Sequence, residues 1–313
     1  MIEVEGLVKR YGSTTAVDDL TFEAGPGRVT GFLGPNGAGK STTMRMILGL
    51  DAPTAGLALV GGRPYRSLAR PLREVGALLD AHAVHRGRSA RAHLASIAAS
   101  NDIPARRVGE VLEMTGLADV GRRRVGGFSL GMKQRLGIAV ALLGDPPVLM
   151  FDEPVNGLDP EGILWIRTLM RSLAAEGRTV FVSSHLMSEM ALTADHLVIV
   201  GGGRLIIDTS TEEFIRGSAR GAVLVRTADS AALTRLLTTH GAQVIPEPDG
   251  VLAVAGLQPQ DIGDLAAANR LTIHELSTRQ ASLEEAFMDI TADSVQYRAG
   301  ATAGTSRRKD QHQ

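Results

Sequence analysis

Short apolar runs alternate with stretches of helical spacing along the first two thirds of the chain. Strands are predicted at residues 28–34 (RVTGFLG), 56–62 (GLALVGG), 147–151 (PVLMF), 178–184 (RTVFVSS) and 196–207 (HLVIVGGGRLII). Apolar residues at helical intervals predict helices at residues 40–50, near 161–176 and near 186–193. Strands that are apolar throughout and alternate with helices indicate a parallel sheet covered on both faces.

Two further regions depart from this alternation. From about residue 82 to 135 the chain is rich in Ala and Arg, which predicts a helical insert. After Gly217 the order is strand, helix, strand, strand, helix, strand, with a hairpin turn at Asp249 and Gly250, as in a split βαβ domain. The predicted domains are residues 1–217, an accessory α/β domain at 218–291 that ends in an amphipathic helix (SLEEAFMDI), and a disordered tail at 292–313.

Composition narrows the class of protein. The 313 residues are 44% hydrophobic and 21% charged, as in a globular protein with a packed core. A formal net charge of -1 gives no general attraction for nucleic acid. The chain has no cysteine, no apolar run of bilayer length and no signal-peptide pattern at its start. We expect a cytoplasmic protein that another subunit must hold if it works at a membrane.

The stretch at residues 34–41 (GPNGAGKS) lies between a predicted strand and a predicted helix. Glycines at this spacing let backbone N–H groups turn toward phosphate oxygens, and the helix N-terminus adds a favourable dipole. Lys40 would reach the β- and γ-phosphates of a nucleotide, and Ser41 would ligate Mg²⁺. A plain glycine-rich turn is the alternative, but the strand–loop–helix context favours a phosphate-binding P-loop.

Two adjacent carboxylates end another apolar strand, in VLMFDEP at residues 148–154. Asp152 is placed to hold Mg²⁺ through water, and Glu153 is the best candidate to orient and deprotonate an attacking water. A solvated acidic turn with a capping role is the alternative for this stretch taken alone. The catalytic interpretation is favoured because the strand points both carboxylates at the edge where the P-loop lies.

His185 and Tyr11 are weaker site candidates when each is judged from its local sequence alone. His185 follows the next predicted strand, in VFVSSHLMSE, and at the same sheet edge it could contact a γ-phosphate and hold Glu153 in register. A lone histidine beside an apolar strand is more often a structural group, so both interpretations stay open. Tyr11, in VKRYGSTTAV, is one of three tyrosines; most such residues pack, and a minority stack on a base.

Five stretches occur in the order GPNGAGKS, FSLGMKQRL, VLMFDEP, NGLDP and SSHLMSE. Together they resemble the ATP-binding subunit of an ABC transporter over roughly residues 2–216, and SLEEAFMDIT near the C-terminus is similar to the drug- and antibiotic-exporter branch. The resemblance implies that FSLGM completes the nucleotide site of the opposite subunit and that NGLDP contacts that subunit. The residues expected at the nucleotide, with Tyr11 against adenine, are Tyr11, Gly34, Pro35, Asn36, Gly37, Ala38, Gly39, Lys40, Ser41, Thr42, Ser129, Gly131 and Asp159.

The sequence departs from the family pattern at three positions. Asp80 stands where the family usually has the Gln of the loop that couples nucleotide to the membrane subunit. A carboxylate can ligate Mg²⁺, so Asp80 is a candidate metal ligand, but it cannot donate a hydrogen bond as an amide does. Leu130 and Met132 replace the usual Gly and Gln of the signature, and packing is the simpler expectation for both. Ser129 is retained and can cap the helix while offering its hydroxyl to phosphate.

The predicted fold is α/β: a P-loop (RecA-like) nucleoside-triphosphatase core with a helical insert, followed by a small ferredoxin-like domain. The resemblance implies hydrolysis of ATP with Mg²⁺, which drives export of a drug, antibiotic or other small hydrophobic compound through a separate membrane permease. It also implies a homodimer at the cytoplasmic side of the membrane. A soluble ATP-dependent clamp is the alternative. The single cassette and the lack of sustained heptads count against it. A third hypothesis is a nucleotide-regulated binding module that does not hydrolyse ATP. The presence of Glu153 and His185 counts against it.

Overall fold

The computed structural model describes residues 1–81, 83–217 and 222–279. The chain divides into two compact units, the first ending at Thr211 and the second beginning at Glu212. The strands of the first unit are β1 (Ile2–Tyr11), β2 (Thr14–Ala24), β3 (Val29–Leu33), β4 (Ala55–Val60), β5 (Val75–Leu78), β6 (Val148–Asp152), β7 (Thr179–Ser184), β8 (His196–Gly201) and β9 (Arg204–Ser210). The helices of the first unit are α1 (Lys40–Ile47), α2 (Pro71–Glu74), α3 (Ala90–Ser100), α4 (Arg106–Met114), α5 (Leu130–Leu142), α6 (Pro160–Ala175) and α7 (Met187–Ala191). Helix α8 (Thr211–Gly217) begins at the last residue of this unit.

A six-stranded sheet carries the first unit, with the strand order β5-β6-β7-β3-β8-β9. Neighbouring strands are parallel except at the edge, where β9 runs antiparallel to β8. The sheet is therefore mixed, and the prediction of a parallel sheet with one strand at residues 196–207 is wrong at this edge. The chain reverses at Gly202 and Gly203, which have φ of 60° and 87°. A turn of two residues can join only antiparallel strands, since a parallel pair needs a crossover of a dozen residues or more.

A three-stranded antiparallel sheet, in the order β2-β1-β4, packs against the larger sheet. Phe22 of β2 lies against Phe32 of β3 and Phe181 of β7, with ring centroids 5.4 and 5.5 Å away. All three rings are buried, and burying one such side chain stabilises the fold by about 1.5–3 kcal/mol. The sequence pattern predicts only β4 of this sheet; β1, β2 and also β5 are strands that it misses.

The helical part of the first unit comprises α3, α4 and α5. Its loops pair with each other, because the Arg91 N–H donates to the Gly121 carbonyl at 2.8 Å and the Val125 N–H donates to the Arg88 carbonyl at 2.9 Å. Helix α5 continues beyond residue 135 and packs on β5. The contact is close, since a Cβ on Gly76 would lie 1.9 Å from the Ala141 carbonyl oxygen. Helix α5 thus joins the helical part to the sheet.

The second unit is built on a four-stranded antiparallel sheet. Its elements are β10 (Ala222–Thr227), α9 (Ser230–Thr239), β11 (Gln243–Pro246), β12 (Val251–Ala255), α10 (Pro259–Ala268) and β13 (Ile273–Arg279). The strand order is β11-β12-β10-β13, and the helices bury Leu233, Leu237 and Ile262 against the sheet. The turn before β12 contains Asp249 and Gly250, both at positive φ.

Two predictions fall outside the described residues, namely the amphipathic helix SLEEAFMDI and the tail at 292–313. Within the part of the chain that the structure describes, every helix is too short or too polar to cross a bilayer.

Candidate nucleotide site

The predicted site residues follow three neighbouring strands of the six-stranded sheet. Strand β7 lies between β6 and β3, with Asp152 paired to Ser183 and Leu33 paired to Ser184. Because all three strands are parallel, the P-loop after β3, Glu153 after β6 and His185 after β7 emerge at one edge. The carboxyl ends of parallel strands are the usual place for a ligand in open α/β sheets.

The P-loop has a backbone that side chains would obstruct. Gly37 and Gly39 have φ of 81° and 97°, a left-handed region that only glycine enters without strain. A Cβ on Gly39 would lie 2.5 Å from the Ala16 carbonyl oxygen, and one on Gly34 would lie 2.3 Å from the Val200 carbonyl oxygen. The glycines therefore keep the loop backbone compact against β2 and β8, as a backbone phosphate cradle requires.

Helix α1 begins where the P-loop ends. Its N-cap is Gly39, which has no side chain to accept from the first helical N–H groups, and its first turn contains no acidic residue. The positive end of the helix dipole is thus left without an anionic side chain of its own, which suits a phosphate. Ser41 and Thr42 lie in this first turn, and the Ser41 side chain is exposed.

Lys40 is the cation of the site, and it is only 7% exposed. Its Nζ donates to the Gly34 carbonyl at 2.6 Å and to the Pro35 carbonyl at 3.4 Å, and lies 3.8 Å from Oε1 of Glu153. Burial lowers the pKa of Lys40, while Glu153 and Asp152 act in the opposite direction. Further negative charge at this position would stabilise the ammonium, so the surroundings of Lys40 fit a nucleotide phosphate.

Glu153 and His185 are in direct contact, with 2.8 Å between Oε2 of Glu153 and Nδ1 of His185. Glu153 has φ of 50°, which is unusual for a residue with a side chain. Its N–H donates to Oγ of Ser183 at 3.0 Å, and its carbonyl accepts from Nε2 of Gln134 at 3.1 Å. Sequence reasoning missed Ser183 and Gln134. The polar pair that ends an otherwise apolar strand at residues 183–184 is the one signal that could have pointed to Ser183.

The predicted metal ligand Asp152 accepts a hydrogen bond from the Ser183 hydroxyl, which fixes one of its oxygens. Across the described residues, no three His, Asp or Glu side chains are grouped as a metal cage would need. Mg²⁺ in nucleotide sites is commonly held by one or two protein oxygens, water and the phosphates, so Asp152 and the exposed Ser41 hydroxyl suit that mode of binding.

Tyr11, the predicted base-stacking residue, is 50% exposed at the end of β1. Its hydroxyl donates to Oδ2 of Asp51 at 3.2 Å, and Nε of Arg45 donates to the same oxygen at 2.8 Å. Partial burial and Asp51 raise the pKa of Tyr11, whereas the Arg45 hydrogen bond lowers the pKa of Asp51. Asp51 therefore anchors the hydroxyl of Tyr11 while the ring keeps an exposed face.

The signature stretch begins helix α5, where Ser129 is the N-cap and its Oγ accepts from the Met132 N–H at 3.2 Å. Leu130 lies over Gly157, since a Cβ on Gly157 would be 2.1 Å from Cδ2 of Leu130. This contact packs part of the Leu130 side chain, which is 42% exposed, whereas nothing in the structure explains the Met132 side chain.

Gly131 lies in the first turn of α5, near Leu158 of the loop before α6. The Oδ1 of Asp159 caps α6 by accepting from the Gly162 N–H at 2.8 Å. Among the residues that the structure describes, no hydrogen bond or ion pair joins Ser129, Gly131 or Asp159 to Lys40 or Glu153. Within one chain these three residues are therefore not bonded to the proposed phosphate-binding lysine or to the proposed base.

Asp80 is exposed and follows β5, whose last residue, Leu78, pairs with Phe151 of β6. The strand ends are adjacent, so Asp80 emerges at the same sheet edge as Glu153. It also lines an open groove of about 540 Å³ between the β5 edge and the helical part. Other residues of the groove are Leu72, Leu79, Ala83, Ile97 and Val140.

The fold and the site define a P-loop nucleoside triphosphatase. The model of the ABC transporter family matches residues 17–156, and a family described as a domain of unknown function (DUF8746) matches residues 221–284. The bacitracin transport ATP-binding protein BcrA of Bacillus licheniformis is 44% identical over 66% of this chain and 68% of its own length. BcrA of Enterococcus faecalis is 32% identical over 92% of this chain and 95% of its own length.

A solved structure described as the ATP-binding subunit of an ABC transporter is 28% identical, with a TM-score of 0.63 over 69% of this chain and 92% of that one. The chain belongs to the ABC transporter family, as the resemblance of its motifs predicts. It is an ATP-binding subunit of that family, an ATPase that uses ATP with Mg²⁺. Subunits of this kind dimerise and pair with membrane components.

Proposed function

We propose that this chain supplies the energy for export of an antibiotic or similar small hydrophobic compound through a separate membrane permease. The observation that carries the energy-supplying role is the contact of Lys40 and His185 with the same carboxylate, that of Glu153, at the P-loop edge of the sheet. The two BcrA proteins, whose names assign them to bacitracin transport, support the exporter class. The subunit would act at the cytoplasmic side of the membrane.

The site residues divide the work of phosphoryl transfer to water. Lys40 and the N–H groups of the P-loop and of the first turn of α1 bind phosphate oxygens, and Glu153 accepts the proton of the attacking water. His185 orients the Glu153 carboxylate and donates to the γ-phosphate. Mg²⁺, with Ser41 and Asp152 as its protein ligands, neutralises phosphate charge when bound.

We further propose that the complete site needs two copies of the chain. Ser129, Gly131 and the start of α5 would contact the γ-phosphate held by the Lys40 of the other copy, and Asp159 would contact that copy across the interface. The support is that Ser129 lies at a helix N-terminus that has no acidic residue in its first turn. Since each chain carries both halves of the site, a homodimer would have two equivalent sites.

The groove that contains Asp80 is proposed to receive a short helix from a cytoplasmic loop of the permease. Its lining is mostly apolar and is contributed by both the sheet edge and the helical part. Asp80 and Glu153 emerge at the same edge of the sheet. Movement of a helix in the groove would therefore displace the residues that follow β5, and with them the edge that carries the P-loop. This would give Asp80 the coupling role that the usual glutamine has, with ligation of Mg²⁺ as a second possible role.

The accessory region is proposed to be a split βαβ (ferredoxin-like) domain. Its element order and its strand order, β11-β12-β10-β13, support this class, and the separate family match at 221–284 supports a distinct unit. The proposed domains are 1–217, with the helical insert near 82–135, then 218–291 and the tail 292–313. This domain has two candidate roles, which are to support the dimer and to regulate the ATPase.

The test of the exporter function uses the lack of native cysteine. A benzophenone attached to Ile97→Cys in the groove should cross-link, in membranes of the native host, to a multi-helix protein whose presence stimulates ATP hydrolysis. The same label on Leu57→Cys, an exposed position on β4, is the matched control. Labelling of a ribosomal or DNA-bound partner instead, or equal labelling from both positions, would count against the permease and for the clamp.

A further inference from the structure

Glu153 has a backbone conformation that its own residue type disfavours. Its φ of 50° is left-handed, and non-glycine residues keep such conformations where the surroundings hold them. The carboxylate can face Lys40 and His185 only while this backbone is maintained, because the residue turns the chain immediately after β6. The groups that hold the peptides on both sides of Glu153 therefore control where the carboxylate lies.

Two side chains from different elements hold these peptides. Ser183 of β7 accepts from the Glu153 N–H at 3.0 Å, and Gln134 of α5 donates from Nε2 to the Glu153 carbonyl at 3.1 Å. The carbonyl also accepts from the Asn156 N–H at 3.2 Å, within the same turn. Gln134 is thus the contact to this carbonyl that comes from another element of the fold.

Gln134 is 5% exposed, although it is a polar residue on a helix. Gln134 is buried in α5 just before the buried apolar residues Leu136 and Ile138, so a leucine or methionine would suit this position by size and polarity. A buried amide is stable there because it is hydrogen-bonded, and its bond is made to the residue after β6. The position of this amide therefore points to a role at the active site.

We propose that Gln134 is a positioning residue that sets the Glu153 carboxylate for proton transfer. The proposal rests on the function proposed above for Glu153 as the base. Gln134 lies on the helix whose N-cap is Ser129. One helix therefore carries both Ser129 and the amide that is hydrogen-bonded to Glu153 of the same chain. Displacement of α5 when Ser129 meets the other copy would move the Gln134 amide, and with it the backbone of Glu153.

The test compares Gln134→Glu and Gln134→Met with the unaltered full-length chain, by ATPase kinetics from about pH 6 to about pH 8.5. Glutamate has the shape of glutamine, but donates to a carbonyl only when protonated. Burial raises the pKa of a carboxyl group, so the new side chain should become a donor as the pH falls. Methionine has a similar volume and cannot donate at any pH.

We expect kcat of both variants to be about tenfold below that of the unaltered chain near neutral pH, as loss of one neutral hydrogen bond would give. The KM for ATP should change less than about twofold, because Gln134 touches no proposed phosphate ligand. Relative to the unaltered chain, kcat of Gln134→Glu should recover toward low pH, while kcat of Gln134→Met should stay equally low throughout. Division by the unaltered chain removes every pH effect that all three proteins share.

Full kcat in Gln134→Met would overturn the proposal, and so would a loss in Gln134→Glu that does not depend on pH. If methionine prevents folding, as judged by thermal unfolding, the pH profile of Gln134→Glu still decides the question. Near-normal turnover of Glu153→Gln would overturn the assignment of Glu153 as the base. The two failures can be told apart. If Glu153 is not the base, the Gln134 variants still show by their kcat whether Gln134 affects turnover.

Discussion

The imidazole of His185 lies 2.8 Å from the carboxylate of Glu153, although 32 residues separate them in the sequence. The contact exists because β6 and β7 are adjacent and parallel, with Asp152 paired to Ser183. The other carboxylate oxygen of Glu153 lies 3.8 Å from Nζ of Lys40. A single carboxylate is therefore held between Lys40, the proposed phosphate-binding group, and the imidazole of His185, which gives the first prediction.

Glu153→Gln should lower kcat by about two to three orders of magnitude, because the amide cannot accept the proton of water. ATP should still bind, since Lys40 and the P-loop are unaltered, and the ATP-bound dimer should accumulate. Steady-state hydrolysis and size-exclusion chromatography with ATP check both effects. Glu161→Gln, at an exposed position in the first turn of α6, is the matched control and should retain activity. Turnover near normal in Glu153→Gln would remove this residue as the base.

Mixed dimers test the contribution of Ser129 across the interface. Lys40→Ala damages the P-loop of its own chain, and Ser129→Arg places a large cation at the start of α5. Each homodimer should be inactive, but a mixed dimer has one site with an intact Lys40 and an intact Ser129. Mixing should restore up to about one quarter of the activity, given random pairing and two independent sites. If titration of one variant into the other never restores hydrolysis, Ser129 does not act on the other copy.

Asp80→Ala and Asp80→Gln separate the two roles proposed for this residue. If Asp80 ligates Mg²⁺, loss of the carboxylate should shift the Mg²⁺ dependence of hydrolysis to higher concentration in both variants. If the loop needs only a polar coupling group, glutamine should preserve stimulation by the permease and alanine should not. Titration of Mg²⁺ with and without the permease distinguishes these outcomes. Two variants that behave like the unaltered chain in both assays would leave Asp80 without either role.

Tyr11→Ala should weaken ATP binding by about fivefold to a hundredfold, the range expected for loss of one base–aromatic stack. Tyr11→Phe keeps the ring and loses only the hydrogen bond to Asp51, so its affinity should stay within about threefold. Isothermal titration with ATP measures both variants. Equal losses in alanine and phenylalanine would show that the Asp51 contact matters more than stacking.

Gly76→Ala tests the packing of α5 on β5. Its Cβ would lie 1.9 Å from the Ala141 carbonyl oxygen, so the helix must shift, at a cost of about 1–3 kcal/mol in the free energy of unfolding. Gly109→Ala is the control, because nothing lies within 4 Å of a Cβ there and the residue is inside helix α4. Alanine should stabilise that helix by up to about 1 kcal/mol. Urea unfolding of both variants checks the opposite signs, and equal stability of Gly76→Ala and the unaltered chain would refute the close contact.

The sequence pattern predicted the elements that are buried and regular. Strands β3, β6 and β7 are continuous apolar runs, and the P-loop has a glycine spacing with a direct meaning for phosphate binding. The hydrophobic pattern missed β1, β2 and β5. Strands β1 and β2 mix polar and apolar residues, because only some of their side chains are buried against the larger sheet, and β5 has only four residues. It also merged β8 and β9, since both are apolar and only the conformation of Gly202 and Gly203 separates them.

Ser183 and Gln134 show where pattern reasoning stops. Neither residue type is rare at a strand end or on a helix, so neither stands out in the sequence. Both make one directed hydrogen bond to the backbone of Glu153, and such a bond depends on distances of a few ångströms between separate elements. Leu130 is a further case, since its partner is the bare α-carbon of Gly157 in another loop.

The sequence by itself determined the family of this protein and the identities of its candidate phosphate, metal and proton-transfer groups, because those groups lie in short contiguous motifs. Tertiary structure alone decided which groups meet. The order β6-β7-β3 brings Lys40, Glu153 and His185 together, while Ser129 lies at the N-terminus of α5 and its hydroxyl accepts from the Met132 N–H of that helix. The physical reason is that strand pairing and helix packing are set by burial of whole faces, and the distances between side chains of different motifs follow only from that packing.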